Sequence, residues 1–420
     1  MIIHTPEIEV VDGIAKATAD IEYAQYRTSL WYSVEEKYAS YLTKRLDGFL
    51  VGLLLLAMRH GENIQVKGGI SPRLYYNLTN YYMEIMQQFH PGFKRVEIVP
   101  LSLDEAEYDP EAKAVVTGFS GGIDSWCCIA DHLHPTQVPP GYQLTHLIFN
   151  NVGAHQTGRI AHSDRERQLA RIRFDQLKVS SEQLGLEFIR TDSNLGEVLK
   201  MHSIGTHVPS NVSAALQLQD LFGKFYYASA HHYRNTFIGH VNDIAYADSA
   251  AVHLLSTESF ECISSGCQHT RIDKTKIVCG IDGPQHSLNV CLNPFMYEGE
   301  RNCSFCKKCC RTLLTLELLG ELERFQGVFN LERWKSIRSR YVLRVLRKNS
   351  GSFEREIADF ADQIGVKLHS WQRPMTHLAN MLPEKQDRIH WKKSLKALRS
   401  NEESKITASG RKPLLSGENV

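Results

Sequence analysis

The sequence predicts an α/β protein built on a doubly wound parallel sheet with a cysteine-rich knuckle. An α+β segment precedes it (residues 1–110), a helical region follows it (319–400), and the tail, 401–420, reads as frayed. Three observations predict this. From residue 112 onward, short apolar runs alternate with amphipathic stretches long enough for helical crossovers. A loop of serine and glycine, Ser120-Gly121-Gly122-Ile123-Asp124-Ser125, falls between the first such run and a helical stretch. Four cysteines, Cys303, Cys306, Cys309 and Cys310, crowd into one short segment.

A chain of 420 residues exceeds what a single core usually organises. Lysine and arginine total 48 against 47 aspartates and glutamates, so no global field draws the chain to nucleic acid or to an anionic membrane. The first residues, with His4 and Glu7, do not form the basic start and apolar core of a signal peptide. The apolar stretch 49–58 is about half the ~20 residues a membrane span needs, and is expected to be a buried helix. All ten cysteines lie after Trp126, and tight Cys-x-x-Cys spacing without a signal peptide indicates metal in a reducing compartment, the cytoplasm.

Taken in order, residues 7–27 read as short strands around a turn at Asp12-Gly13, and 34–58 as one or two largely buried helices. Ser71-Pro72 starts a further helix, with serine as N-cap and proline at the first position, where its missing N–H costs nothing. A strand-like run at 95–100 and an acidic connector at 103–111 close the first segment. The central unit, 111–318, contains apolar runs at 114–119, 145–149, 186–191 and 225–230, and includes the knuckle at 291–310. Such sheets bind ligands beyond the C-terminal ends of their strands.

The 120–125 loop is suited to phosphate. Two glycines let successive N–H groups approach an anion, and the following helix adds its partial positive charge. Ser120 and Ser125 offer hydroxyl donors, and Asp124 can cap the helix or help hold a magnesium ion. The loop has no lysine of the Gly-x-x-x-x-Gly-Lys kind, which disfavours kinase-like transfer. Cys303-x-x-Cys306-x-x-Cys309, completed by Cys291, supplies four thiolates for a structural zinc. An iron–sulfur cluster, unliganded thiols, or Cys310 in place of one ligand are the alternatives. Lys307, Lys308 and Arg311 are expected to offset the thiolate charge.

Ser-Gly-Gly-x-Asp-Ser resembles the PP-loop of the ATP pyrophosphatase family, which includes asparagine synthetases, tRNA thiolases and 7-cyano-7-deazaguanine synthases. The last group is the most similar. Phe149-Asn150-Asn151-Val152-Gly153-Ala154-His155 is similar to its aromatic, glycine and histidine stretch, and Val208-Pro209-Ser210-Asn211 to its Val-Pro-Gly-Arg-Asn. Asp243-Ile244-Ala245-Tyr246-Ala247-Asp248 resembles its Asp-x-x-Gly-Tyr-Pro-Asp, residues 271–276 its short basic segment, and the cysteines its zinc ligands. The resemblance spans about 112–318 and departs where an arginine is missing beside Asn211, at Ala245 and Ala247, and at Ser249 in place of cysteine.

It implies cleavage of ATP to AMP and pyrophosphate at residues 120–125, with Ser120, Asp124 and Ser125 catalytic. A carboxylate on a deazapurine-type base would be held by His155, Asn211, Tyr246, Asp248, Arg271 and Lys274. The segments 1–110 and 319–400 have no counterpart in the housekeeping enzyme. In that respect the chain is similar to divergent relatives from bacterial antiphage operons, in which the chemistry is redirected from ammonia to a protein amine. Residues 1–110 are assigned to acceptor recognition or to a homodimer contact. Taken as residues alone, His155 and His231 read as structural histidines, and Asp192, after a strand, as a weaker site candidate. Two rival functions remain: sulfur transfer using Cys127, Cys128, Cys262 or Cys267, and nucleotide binding without turnover.

Overall fold

A computed structural model describes residues 1–105, 113–134, 138–153, 164–291, 300–347 and 351–368. The fold is mixed α/β around one large sheet. Its strands are β1 (Ile2–Ile3), β2 (Glu7–Val11), β3 (Ile14–Tyr23), β4 (Tyr26–Glu35), β5 (Ile64–Ile70), β6 (Ile98–Leu103), β7 (Ala114–Gly118), β8 (His146–Asn151), β9 (Glu187–Ser193), β10 (Phe222–Ala228) and β11 (Glu261–Ser265). They run in the order β11-β10-β7-β8-β9-β4-β3-β1-β5-β6, with β2 on β3. Strands β7 to β11 pair only in parallel with one another. The chain builds from β7 through β8 to β9, then returns to lay β10 and β11 on the other side. The crevice between β7 and β10 is therefore the switch point, the place where such sheets bind ligands.

Residues 1–105 extend this same sheet. β4 pairs antiparallel with β9 through Tyr32 with Ser193 and Ser33 with Asp192. One hydrophobic cluster contains Leu50 and Leu54 of the first segment together with Val212 and Phe225 of the second. The helix Asp47–His60, whose residues 47–58 are all buried, lies against the helix His207–Leu216. Gly48 permits that approach, since a Cβ there would fall 2.7 Å from the Ser213 carbonyl oxygen. The second cluster, on the opposite face, joins Phe119 and Trp126 to Leu313, Trp334 and Ile357 of the C-terminal helices.

The Asp12-Gly13 turn is present, with φ of 50° and 74°, as a two-residue hairpin requires. Ala24 and Gln25 make a second such turn, at 46° and 68°, without a glycine to announce it. Of the one or two helices expected over 34–58, a short 3-10 helix spans Glu36–Tyr41 and the long α-helix begins at Asp47, while Val34 and Glu35 instead complete the ten-residue strand β4. Ser71 caps its helix as expected, its side chain accepting from Leu74 N–H. Strand β11 is additional to the apolar runs read from the sequence. Among the described residues no helix is long and apolar enough to cross a membrane. The tail 401–420 and the region beyond 368 lie outside the described residues.

Candidate functional site

The 120–125 loop leaves the C-terminal end of β7 and enters the helix Ile123–His132, with Gly122 as N-cap. Gly121 adopts φ +74°, and a Cβ there would meet Leu177 Cδ2 at 2.7 Å. Its carbonyl accepts from Asn289 N–H at 2.7 Å, which ties the loop to the segment leading into the knuckle. The first-turn N–H groups of Ile123, Asp124 and Ser125 have no carbonyl one turn earlier and point out of the helix start. Ser120 is exposed on the loop, whereas buried Ser125 donates its hydroxyl to Gly122 O at 3.0 Å.

Asp124 does not cap the helix. It accepts from Arg271 Nη2 at 2.9 Å and from Lys274 Nζ at 3.0 Å. Burial alone would raise its carboxyl, but the two cations outweigh this and hold it at about 2. Lys274, fully buried, also donates to the Ser229 carbonyl just beyond β10, so one ammonium spans the switch point. With both oxygens engaged by cations, Asp124 does not fit the role of magnesium ligand, and it is the one carboxylate lining the adjoining cavity among the described residues.

That cavity, of about 400 Å³, is bounded by the loop, by the ends of β8 and β10, and by Asn211. Arg173, Arg271, Lys308 and Arg311 line it against the single carboxylate of Asp124. Burial pushes the Lys308 ammonium and the Arg173 and Arg311 guanidiniums down, and the neighbouring Arg271 charge adds to this at Lys308 and Arg311. An anion of several charges would relieve this. Of these cations only Arg271 was expected at the site. Lys308 and Arg311, expected to neutralise thiolates, face the cavity together with Thr312, and Lys307 pairs instead with Glu354 at 3.4 Å. The i, i+3, i+4 spacing of 308, 311 and 312 was the available signal.

The other expected residues are distributed unevenly. Asn211 lines the cavity and accepts from Asn150 Nδ2 at 3.2 Å. Tyr246 and Asp248 do not line it. Tyr246 stacks on His231 with centroids 3.9 Å apart, and Asp248 is buried, its carboxyl pushed well above the usual range by burial and by Asp243. Asp192 accepts from Asn151 Nδ2 at 2.8 Å and from Ser193 N–H, holding strand ends together. His155 lies outside the described residues.

Cys291, Cys303, Cys306 and Cys309 converge, all buried, with sulfurs within 4.8 Å of one another. The Cys303–Cys309 and Cys306–Cys309 sulfurs are 3.8 and 3.5 Å apart. Bonds of about 2.3 Å to a tetrahedral ion give an edge of roughly 3.8 Å, so the cluster can hold zinc. Cys303 N–H points to Cys291 Sγ at 3.4 Å and Cys306 N–H to Cys303 Sγ at 3.2 Å, donors that favour thiolates. Cys310 stands outside, donating to Phe305 O at 3.1 Å.

Cys127 and Cys128 are buried in the second core cluster. Burial raises both thiols, Cys128 to about 11, the reverse of what a sulfur nucleophile requires. Cys262 and Cys267 are buried as well. The fold and site thus comprise a large, mostly parallel α/β sheet, a cation-lined cavity at its switch point and a buried four-cysteine cluster beside it. Comparison with protein-family models, with curated proteins and with solved structures returns no match.

Proposed function

We propose that this chain is an ATP pyrophosphatase of the PP-loop type, activating a carboxylate as its adenylate. The observation that carries the reading is the cation-lined cavity built on the lysine-free Ser120 to Ser125 loop at the switch point. Loop N–H groups, Lys308 and Arg311 would hold the triphosphate, with the Ser120 hydroxyl as a further donor. A carboxylate oxygen of the substrate attacks the α-phosphorus, the bond to the β-phosphate oxygen breaks, and pyrophosphate leaves into the cation cluster. Donors fixed where charge develops lower that barrier without reorganisation. An amine nitrogen then attacks the acyl carbon, AMP departs, and the amine loses a proton.

The substrate proposed is a 7-deazaguanine-type carboxylate, and the acceptor is ammonia or a protein amine selected by residues 1–110. Zinc is the metal assigned to the four cysteines. Four thiolates leave no open position, so when bound it supplies cross-linking and no chemistry to the reaction. Arg173 bonds the Cys291 carbonyl at 3.2 Å while lining the cavity, so knuckle and phosphate site share a wall. Incubation with ATP, 7-carboxy-7-deazaguanine and an amine should release AMP and pyrophosphate in equal amounts. Release of ADP, or no nucleotide product with metal-loaded folded protein, would contradict the assignment.

A further inference from the structure

The helix Ser352–Gln363 sets the Phe353 ring against two of the guanidiniums that line the cationic cavity. Arg311 Cζ lies 4.0 Å from the Phe353 ring centroid and Arg271 Cζ 5.0 Å from it. His231 stacks on the same ring at 4.8 Å, with 14° between the planes. Both guanidiniums line the cavity, and the Nε of each is buried without a hydrogen-bond partner among the described residues. Stacking therefore contributes to holding groups whose hydrogen bonding is incomplete.

The helix itself is pinned at two points. Glu356 accepts from the Arg271 backbone N–H at 2.8 Å and from Asn235 Nδ2 at 3.1 Å, next to the residues that leave β10. Glu354, buried, takes Lys307 at 3.4 Å and the Tyr341 hydroxyl at 3.4 Å. One anchor thus holds the helix carrying Arg271 and the other the helix carrying Arg311. The ring between them is placed by both.

We propose that Phe353 is a positioning residue of the anion site, its ring holding the Arg271 and Arg311 guanidiniums toward the cavity, so that the C-terminal helix completes the phosphate-binding machinery. This rests on the phosphate reading above. Two like charges brought to one ring repel each other, and the negative ring face offsets part of that repulsion before any anion arrives. The two cations are therefore oriented in advance, which reduces the ordering cost of binding.

The test uses the full chain and inorganic pyrophosphate as the probe, followed by calorimetry, with ATP kinetics alongside. Phe353→Leu keeps bulk but removes the ring, and should weaken pyrophosphate binding about tenfold and lower kcat/KM for ATP by a similar factor. Phe353→Tyr keeps the ring face and should bind within about twofold of the parent. Zinc content and melting temperature should hold in both. Arg311→Lys keeps charge and loses the planar stack, so its effect should not add to that of Phe353→Leu. If Phe353→Leu does not fold, Phe353→Met takes its place in the same cycle.

Parental affinity in Phe353→Leu, or strict additivity with Arg311→Lys, would overturn the proposal. A parent protein that is folded and metal-loaded yet binds neither pyrophosphate nor ATP would instead bring down the phosphate reading, and this proposal with it. The two failures are distinguished by the parent titration alone.

Discussion

The knuckle and the cavity sit side by side and share the helix Lys307–Leu318, yet they are built on opposite principles. Cys306 caps that helix and Cys309 turns into the knuckle, while Lys308, Arg311 and Thr312 turn toward the cavity. The knuckle is buried, with four cysteine sulfurs converging on one point. The cavity is open, with four cations facing one carboxylate that already has two partners. A closed centre fixes structure, whereas an unbalanced open one retains the capacity to bind. The alternation of side chains along one helix keeps the two sites apart.

The comparison breaks most severely when the knuckle is opened. Cys306→Ser should yield insoluble or metal-free protein, because apparent binding energies of structural zinc, on the order of 10 kcal/mol, are folding energy. Any soluble fraction should also lose pyrophosphate binding, since Lys308 and Arg311 ride on the same helix. Elemental analysis and calorimetry read the two outcomes, and full metal with normal binding in Cys306→Ser would refute the coupling.

Next in size is the Asp124 anchor. Replacing it with Leu leaves fully buried Lys274 unpaired and should cost about 3–5 kcal/mol in denaturant unfolding. Asp124→Asn and Ser120→Ala should each lose at least ~10-fold in turnover. Because Asp124 is held at about 2, below its ordinary 3.8, its contribution is present in full above pH ~4 and disappears as pH falls through about 2. An acid unfolding curve for Asp124→Asn that still falls with the parental slope in that window would contradict the pairing.

Adjacent lysines then separate the two environments. Lys308→Met should weaken pyrophosphate binding about tenfold with little change in stability, whereas Lys307→Met, which leaves the Tyr341 hydroxyl on Glu354, should weaken it by no more than about twofold. Equal effects from both would mean that the cavity does not discriminate between them.

The smallest effect concerns His231. Burial is the main cause that lowers it to about 4 from 6.5; Arg271 and Lys274 add to this, and Asp243 and Asp124 oppose it. Between those values the unfolded chain binds more protons, so stability rises with pH through the window and is lost as pH falls from 6.5 toward 4. His231→Phe should flatten this slope, by no more than about 1 kcal/mol at pH 6. Parallel curves for the two proteins would show that His231 does not contribute.

What could be read from the sequence follows the same division. The 120–125 loop is contiguous and the four cysteines lie within nineteen residues, so residue order alone indicates a tight strand-to-helix loop and a clustered cysteine site. The strands after residue 112 are legible because a parallel sheet buried on both faces gives uninterrupted apolar runs. The end of β4 is buried through Tyr32, Ser33 and Val34, which hides its period of two and makes it read as helix. Arg173, the pair Lys308 and Arg311, and Phe353 converge from three separate helices, and no local pattern brings the three together. The pairing of β4 with β9, which carries residues 1–105 into the main sheet, rests on two register pairs and leaves no motif.

The most direct test of the central claim follows an oxygen atom. With the carboxylate of 7-carboxy-7-deazaguanine labelled with 18O, attack by that carboxylate on the α-phosphorus and later displacement by an amine must leave one labelled oxygen in the AMP. Mass spectrometry of the nucleotide product should find a single 18O per AMP, dependent on the intact Ser120 and Asp124. Unlabelled AMP, or label absent because ADP is the product, would show that no acyl adenylate forms and that the loop serves another reaction.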